Sequence, residues 1–110
     1  MVDRARTDTG GAIEALAPLR QRLDEVDGQI LDLLVRRMEI CMDVARTKAE
    51  RNIPMMQTAR VSHVVGRARE HATLHGLPAE YFGGLYERIV EETCAHENVL
   101  IAAMRDGDAP

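Results

Sequence analysis

Apolar residues recur at steps of three and four from residue 14 to residue 51: Leu16, Leu19, Leu23, Val26, Ile30, Leu33, then Ile40 or Cys41, and Val44. That spacing is the stripe of a single helix face. Arg37 and Lys48 fall on the same line. No Gly–Pro punctuation is strong enough to stop such a helix; Pro18 is expected in its first turn, and the lone Gly28 is a tolerated weak spot. At the rise of an α-helix these residues span roughly 55 Å, whereas a compact domain of about a hundred residues has a radius of gyration of only about 13 Å. The helix outgrows the body its own chain could wrap around it, so a second chain is expected to cover the remaining stripe.

Residues 1–12 are polar and aperiodic, which predicts a flexible N-terminal tail. Asn52-Ile53-Pro54 should end the long helix, because Asn tolerates a left-handed cap and the residue before Pro avoids the helical region. Met55, Met56 and Gln57 then make a short connection. A second helix is predicted over 58–75, with Thr58 as N-cap and a stripe of Val61, Val64 or Val65, Ala68 and Ala72. Gly76 is a good stop, and Pro78 in a first turn opens a third helix that runs to about Met104. Its stripe is Phe82, Leu85 or Tyr86, Ile89, Thr93, Glu97 or His96, and Leu100. Gly83-Gly84 lies inside that pattern at about 1 kcal/mol per Gly relative to Ala, which points to a bend or a close helix approach. Residues 105–110 are expected to be a second flexible tail. Nothing reads as a strand, so the fold class is all-α: three helices of very unequal length in one ordered domain, 13–104.

Composition narrows the function. With 110 residues there is room for one modest core. The aromatic residues are only Phe82, Tyr81 and Tyr86, which argues against base-stacking modules and aromatic ligand cages. A net charge of −4 provides no footprint for nucleic acid. An anionic ligand would need a local cluster of cations. No apolar run approaches a membrane span and no signal-peptide core is visible, so a cytoplasmic protein is expected. Cys41 and Cys94 lie in helical stripes and read as small buried hydrophobes in a reducing compartment, not as a disulfide or metal pair.

The anomaly is where polar groups land. Arg37 and Lys48 occupy the apolar seam of the first helix, three turns apart. Snorkelling, with the stem packed and the charge in water, explains one such residue better than two. Arg20 flanks the seam beside Leu19 and Leu23, and Arg60 neighbours Val61 and Val64; each alone would be an ordinary boundary arginine. On the third helix, Thr93 and Glu97 stand four apart on the face that should be buried. A threonine there can bond back to the preceding turn. A buried carboxylate must be paired or protonated, and a salt bridge to one of the arginines is its plainest explanation. Four cations, a hydroxyl and a carboxyl together would suit a small dianion.

The same residues resemble the all-helical chorismate mutase family. The likeness covers residues 16–100 and rests on L-x-x-L-R-x-x-L-D-x-V-D at 16–27, L-L-x-R-R at 33–37 and V-A-R-x-K at 44–48. It continues with the Ile53-Pro54 break, Arg60 six residues after that proline, and G-L-x-x-x-Y at 76–81. The resemblance implies an intertwined homodimer whose long helices pair, with two sites each completed by an arginine of the other chain. Arg20 would be that arginine, binding a substrate carboxylate. Arg37 would bind the second carboxylate, Lys48 a carboxylate and the ether oxygen of the breaking bond, and Arg60 would close the anionic pocket. Thr93 would donate to a carboxylate, and Glu97 would face the ether oxygen.

The implied reaction is a Claisen rearrangement, which is intramolecular and needs no nucleophile, metal or redox cofactor. The site must hold a near-attack conformer and stabilise charge growing on the ether oxygen. Glu97 can donate there only as the neutral acid, so activity is expected to fall as it ionises at higher pH. Family members acting on chorismate commonly carry an acidic pair near the ring's C4 hydroxyl, at the positions held here by Gln57 and Val61. Without those acids, the segment 54–61 is most similar to the 4-amino-4-deoxychorismate mutases of antibiotic pathways. Gln57 can accept from an amine or donate to a hydroxyl and so is compatible with either substrate. Chorismate is the alternative, and isochorismate pyruvate-lyase activity a more distant third. A non-catalytic helical dimerisation module explains the long stripe equally well, but leaves Arg37, Lys48 and Glu97 without a purpose.

Overall fold

The structure, a computed structural model, describes residues 2–55 and 57–107. It consists of three helices in the order α1 (Val2–Arg51), α2 (Thr58–Leu74) and α3 (Ala79–Gly107), with no strand among the described residues. The all-α class and the helix count therefore follow the apolar periodicity. The chain divides into two units, Met1–Arg37 and Met38–Pro110. The first is the N-terminal part of α1; the second holds its last turns, α2 and α3.

The N-terminal boundary differs from expectation. Helical backbone begins at Val2, not near residue 14, so Pro18 lies inside α1 instead of in its first turn. Extending a formed helix needs no new nucleus, and no residue between 2 and 17 is a strong enough breaker. Pro18 nevertheless has no N–H to give the carbonyl of Glu14, which makes this the weakest point of the extension. At the other end α3 continues to Gly107, past the Met104 expected; positions 108–110 of the C-terminal segment lie outside the described residues, as does Met56 of the connection.

In the first unit the stripe lies open. Leu19, Leu23, Val26, Ile30 and Leu33 are all exposed, Leu23 by 60% and Leu33 by 59%. In the second unit α2 and α3 pack on one another through a narrow core of Ala68, Ala72 and Ile101, with Ala45 from α1 also buried. The paired alternatives in the sequence pattern resolve here. Tyr86 turns inward and Leu85 outward; Glu97 turns inward and His96 outward. On α1 the inward line is Cys41, Ala45 and Lys48, whereas Ile40 and Val44, expected on the seam, are exposed. Both cysteines are half-buried, and neither is in a disulfide.

Both interhelical turns are set by single residues. Asn52 takes φ 55°, and Ile53 N–H donates back to the carbonyl of Lys48 at 2.9 Å. Gly76 takes φ 69°, with Gly76 N–H donating to Thr73 and Leu77 N–H to Ala72, at 3.1 and 2.8 Å. The second pattern is a complete Schellman cap and the first shares its longer bond. The close approach foreseen at Gly83-Gly84 is a side chain crossing a backbone. Arg69 of α2 lies across buried Gly83, where a Cβ would come within 2.7 Å of its Nε. Arg69 is anchored there by Glu80 at 2.8 Å and Glu87 at 3.8 Å, one turn to either side on α3.

Candidate active site

Three segments converge on Lys48. It stands in the last turn of α1, three residues beyond fully buried Ala45, so its stem leaves the helix on the inward side. Its Nζ donates to the carbonyl of Met55 at 2.9 Å and to Oε1 of Glu97 at 3.3 Å. The side chains of Lys48 and Glu97 are only 13% and 8% exposed. Glu97 is thus paired with the lysine and not, as expected, with an arginine. Proximity explains the difference: Lys48 is the cation of the second unit whose stem runs along the buried line of α1, while Arg60 is exposed.

An ion pair withdrawn from water must offset its desolvation with further hydrogen bonds. The Met55 carbonyl supplies one, and it is available because Asn52 turns the chain back over the helix end. Lys48 is therefore held by backbone on both sides of the turn, its own carbonyl accepting from Ile53 and its ammonium donating to Met55. An ammonium has three N–H donors. Two are engaged, and among the described residues none takes the third.

Thr93 is buried one turn before Glu97 on the same face of α3, and its hydroxyl donates to the Ile89 carbonyl at 2.8 Å. Gln57 is exposed in the connection, with Nε2 donating to the Pro54 carbonyl at 3.1 Å. It also corrects the N-terminus of α2, since Gln57 rather than Thr58 is the N-cap residue and its side chain makes no cap bond. The amide is committed to Pro54 instead. Arg60 lies exposed in the first turn of α2. Arg20, exposed, and Arg37, half-buried, belong to the first unit. Of the residues singled out by the sequence, Lys48, Thr93 and Glu97 come together at the inward side of the second unit. The contribution of Met55 was not foreseen; it is made by a backbone carbonyl, which side-chain identity does not report.

Among the described residues no group of three or more His, Cys, Asp and Glu could hold a metal ion. No helix among them is long and apolar enough to cross a membrane. The arrangement offers a desolvated ammonium with a donor to spare, a carboxyl that aligns it, and a connection folded over both. It can hold an anion and stabilise negative charge developing on an oxygen.

The chain matches the chorismate mutase type II family over residues 19–98, a span that takes in Arg20, Arg37, Lys48, Gln57, Arg60, Thr93 and Glu97. It belongs to that family, a group of all-α isomerases. Among curated relatives it is 39% identical to a 4-amino-4-deoxychorismate mutase of Streptomyces venezuelae, over 79% of this chain and 84% of that protein. It is 36% identical to a protein of the same description from Streptomyces pristinaespiralis, over 94% of this chain and 78% of that protein. A chorismate mutase of Methanocaldococcus jannaschii is 29% identical over 76% of this chain and 84% of its own length.

Proposed function

We propose that this protein catalyses the Claisen rearrangement of 4-amino-4-deoxychorismate to 4-amino-4-deoxyprephenate. The observation that carries the reading is the buried Lys48–Glu97 pair with one lysine N–H uncommitted. The names borne by the two Streptomyces relatives support the substrate. Chorismate is the alternative, supported by the name of the Methanocaldococcus jannaschii relative.

The reaction breaks the C–O bond of the enolpyruvyl ether as a C–C bond forms within the same molecule. Catalysis then consists of holding a compact conformer and stabilising charge on the ether oxygen. Lys48 would supply its third N–H to that oxygen, already desolvated and aligned by Glu97 and the Met55 carbonyl. Glu97, when neutral, would add a second donor. Arg37 would bind one substrate carboxylate in a bidentate manner and Arg60 would close the pocket. Thr93 would donate to a carboxylate.

The working unit is a homodimer with Arg20 contributed across the interface. A chain whose core is little more than three alanines and Ile101, and whose α1 exposes a line of Leu, Val and Ile, has most of its apolar stripe still to bury. Two copies paired along α1 would do so isologously. The reading places the enzyme in the cytoplasm with a small dicarboxylate as its ligand, and without nucleic acid or membrane as partners. A non-catalytic dimerisation module would bury the same stripe, but gives no reason for an ion pair in the inward face. Thermal unfolding with a bicyclic dicarboxylate analogue of the transition state separates the two. Binding raises Tm for the wild type and not for Lys48→Met; no shift in the wild type favours the module.

A further inference from the structure

We propose that Asn52 is a positioning residue for the rearrangement: its left-handed backbone sets where the Lys48 ammonium points, and through that sets kcat. The inference rests on the mutase reading above and adds to it the residue through which the connection acts on the lysine. Asn52 is exposed and has φ 55°, so it contributes through backbone conformation and not through packing. Most L-residues disfavour that region, whereas Gly and, less often, Asn adopt it. Had α1 continued past Lys48, the seven residues to Met55 would have carried that carbonyl roughly 10 Å further along the axis. Instead the chain folds back. Ile53 N–H donates to the Lys48 carbonyl at 2.9 Å, and two residues later the Met55 carbonyl accepts from Lys48 Nζ at 2.9 Å. Gln57 Nε2 ties down the same connection by donating to the Pro54 carbonyl at 3.1 Å. One backbone dihedral therefore decides whether a carbonyl meets the ammonium.

An ammonium turns about its Cε–Nζ bond, and its four-carbon stem is flexible. With Glu97 Oε1 as its one acceptor, at 3.3 Å, two N–H groups would remain and either could face a ligand. The Met55 carbonyl takes one of the two and leaves a single direction for the last. Direction matters most in the transition state, where charge grows on the ether oxygen and a preorganised donor needs no reorganisation. An interaction made only there changes kcat and kcat/KM together and leaves KM where it was.

The test compares turnover by Asn52→Ala, Asn52→Gly and the wild type, with helicity and Tm recorded and the kinetics taken well below Tm. Asn52→Gly accepts positive φ without strain and should keep kcat within about twofold of the wild type. Asn52→Ala should lower kcat by about tenfold with KM unchanged. Introduced into Lys48→Met, Asn52→Ala should have no further effect, because the ammonium it positions is gone. Equal kcat in Asn52→Ala and the wild type overturns the inference and leaves the mutase reading standing. So does an equal loss in Asn52→Gly, or helicity and turnover lost together in Asn52→Ala. A further tenfold loss in the Lys48→Met background also overturns it, since Asn52 would then serve only the stability of the turn. A wild type that turns over neither 4-amino-4-deoxychorismate nor chorismate overturns both.

Discussion

Lys48 Nζ lies 3.3 Å from Glu97 Oε1, and the two groups are 49 positions apart in the chain, on helices joined by two turns. The pair makes the last turn of α1 and the middle of α3 a single chemical element. If Lys48 gives its remaining N–H to the ether oxygen, its removal takes away the principal donor to the developing charge. Lys48→Met should lower kcat by about 10² to 10³, in the range seen when one preorganised oxyanion donor is lost. Steady-state turnover checks this, with helicity measured alongside so that unfolding is not mistaken for lost chemistry.

Glu97 accepts from Lys48 in the unliganded chain, but can donate to the ether oxygen only as the neutral acid. An amide keeps an accepting oxygen for Lys48 and adds a permanent donor. Glu97→Gln should therefore retain or raise kcat in steady-state turnover, whereas a loss as large as that of Lys48→Met would assign Glu97 only the charge pairing of Lys48.

The exposed stripe on α1 makes a prediction about assembly. Leu23 is 60% exposed in the isolated chain, where a charge would cost little. In a dimer paired along α1 the same position is covered. Leu23→Asp should then dissociate the dimer in analytical ultracentrifugation and abolish turnover at the same concentration.

Arg20 can be tested independently of the interface. If it acts in the partner's site, Arg20→Ala and Lys48→Ala chains are each inactive, but a heterodimer of the two has one intact site. Random reassociation of an equal mixture should restore about a quarter of wild-type activity. An arginine that served its own chain would give no such recovery.

Much of this was visible in the sequence because helical periodicity reports a burial direction, and Lys48, Thr93 and Glu97 stand out as polar residues on apolar lines. The positive φ of Asn52 and Gly76 was legible for the same kind of reason, since few residues tolerate it. Three features were not. The Met55 carbonyl is backbone, present at every position and marked by none. Arg69 crossing Gly83 requires knowing how α2 lies on α3, which neither helix encodes alone. The start of α1 lacked a signal because elongation needs only the absence of a breaker, whereas a boundary is recognised by a cap.

Two glycines separate local conformation from packing. Gly84 is exposed in the interior of α3, and a Cβ added there would meet nothing within 4 Å, so Gly84→Ala should stabilise by about 0.5–1 kcal/mol. Gly76 has equally open space but φ 69°, and Gly76→Ala should destabilise by about 1 kcal/mol or more. Urea unfolding of the two variants checks the opposite signs.

The most direct measurement is turnover of 4-amino-4-deoxychorismate and chorismate by the same preparation, side by side, with kcat/KM determined for each. The expected result is rearrangement of both carbon skeletons by one chemistry, with a clear preference for the amino compound. A preference for chorismate would contradict the substrate assignment, and turnover of neither would contradict the mutase reading itself.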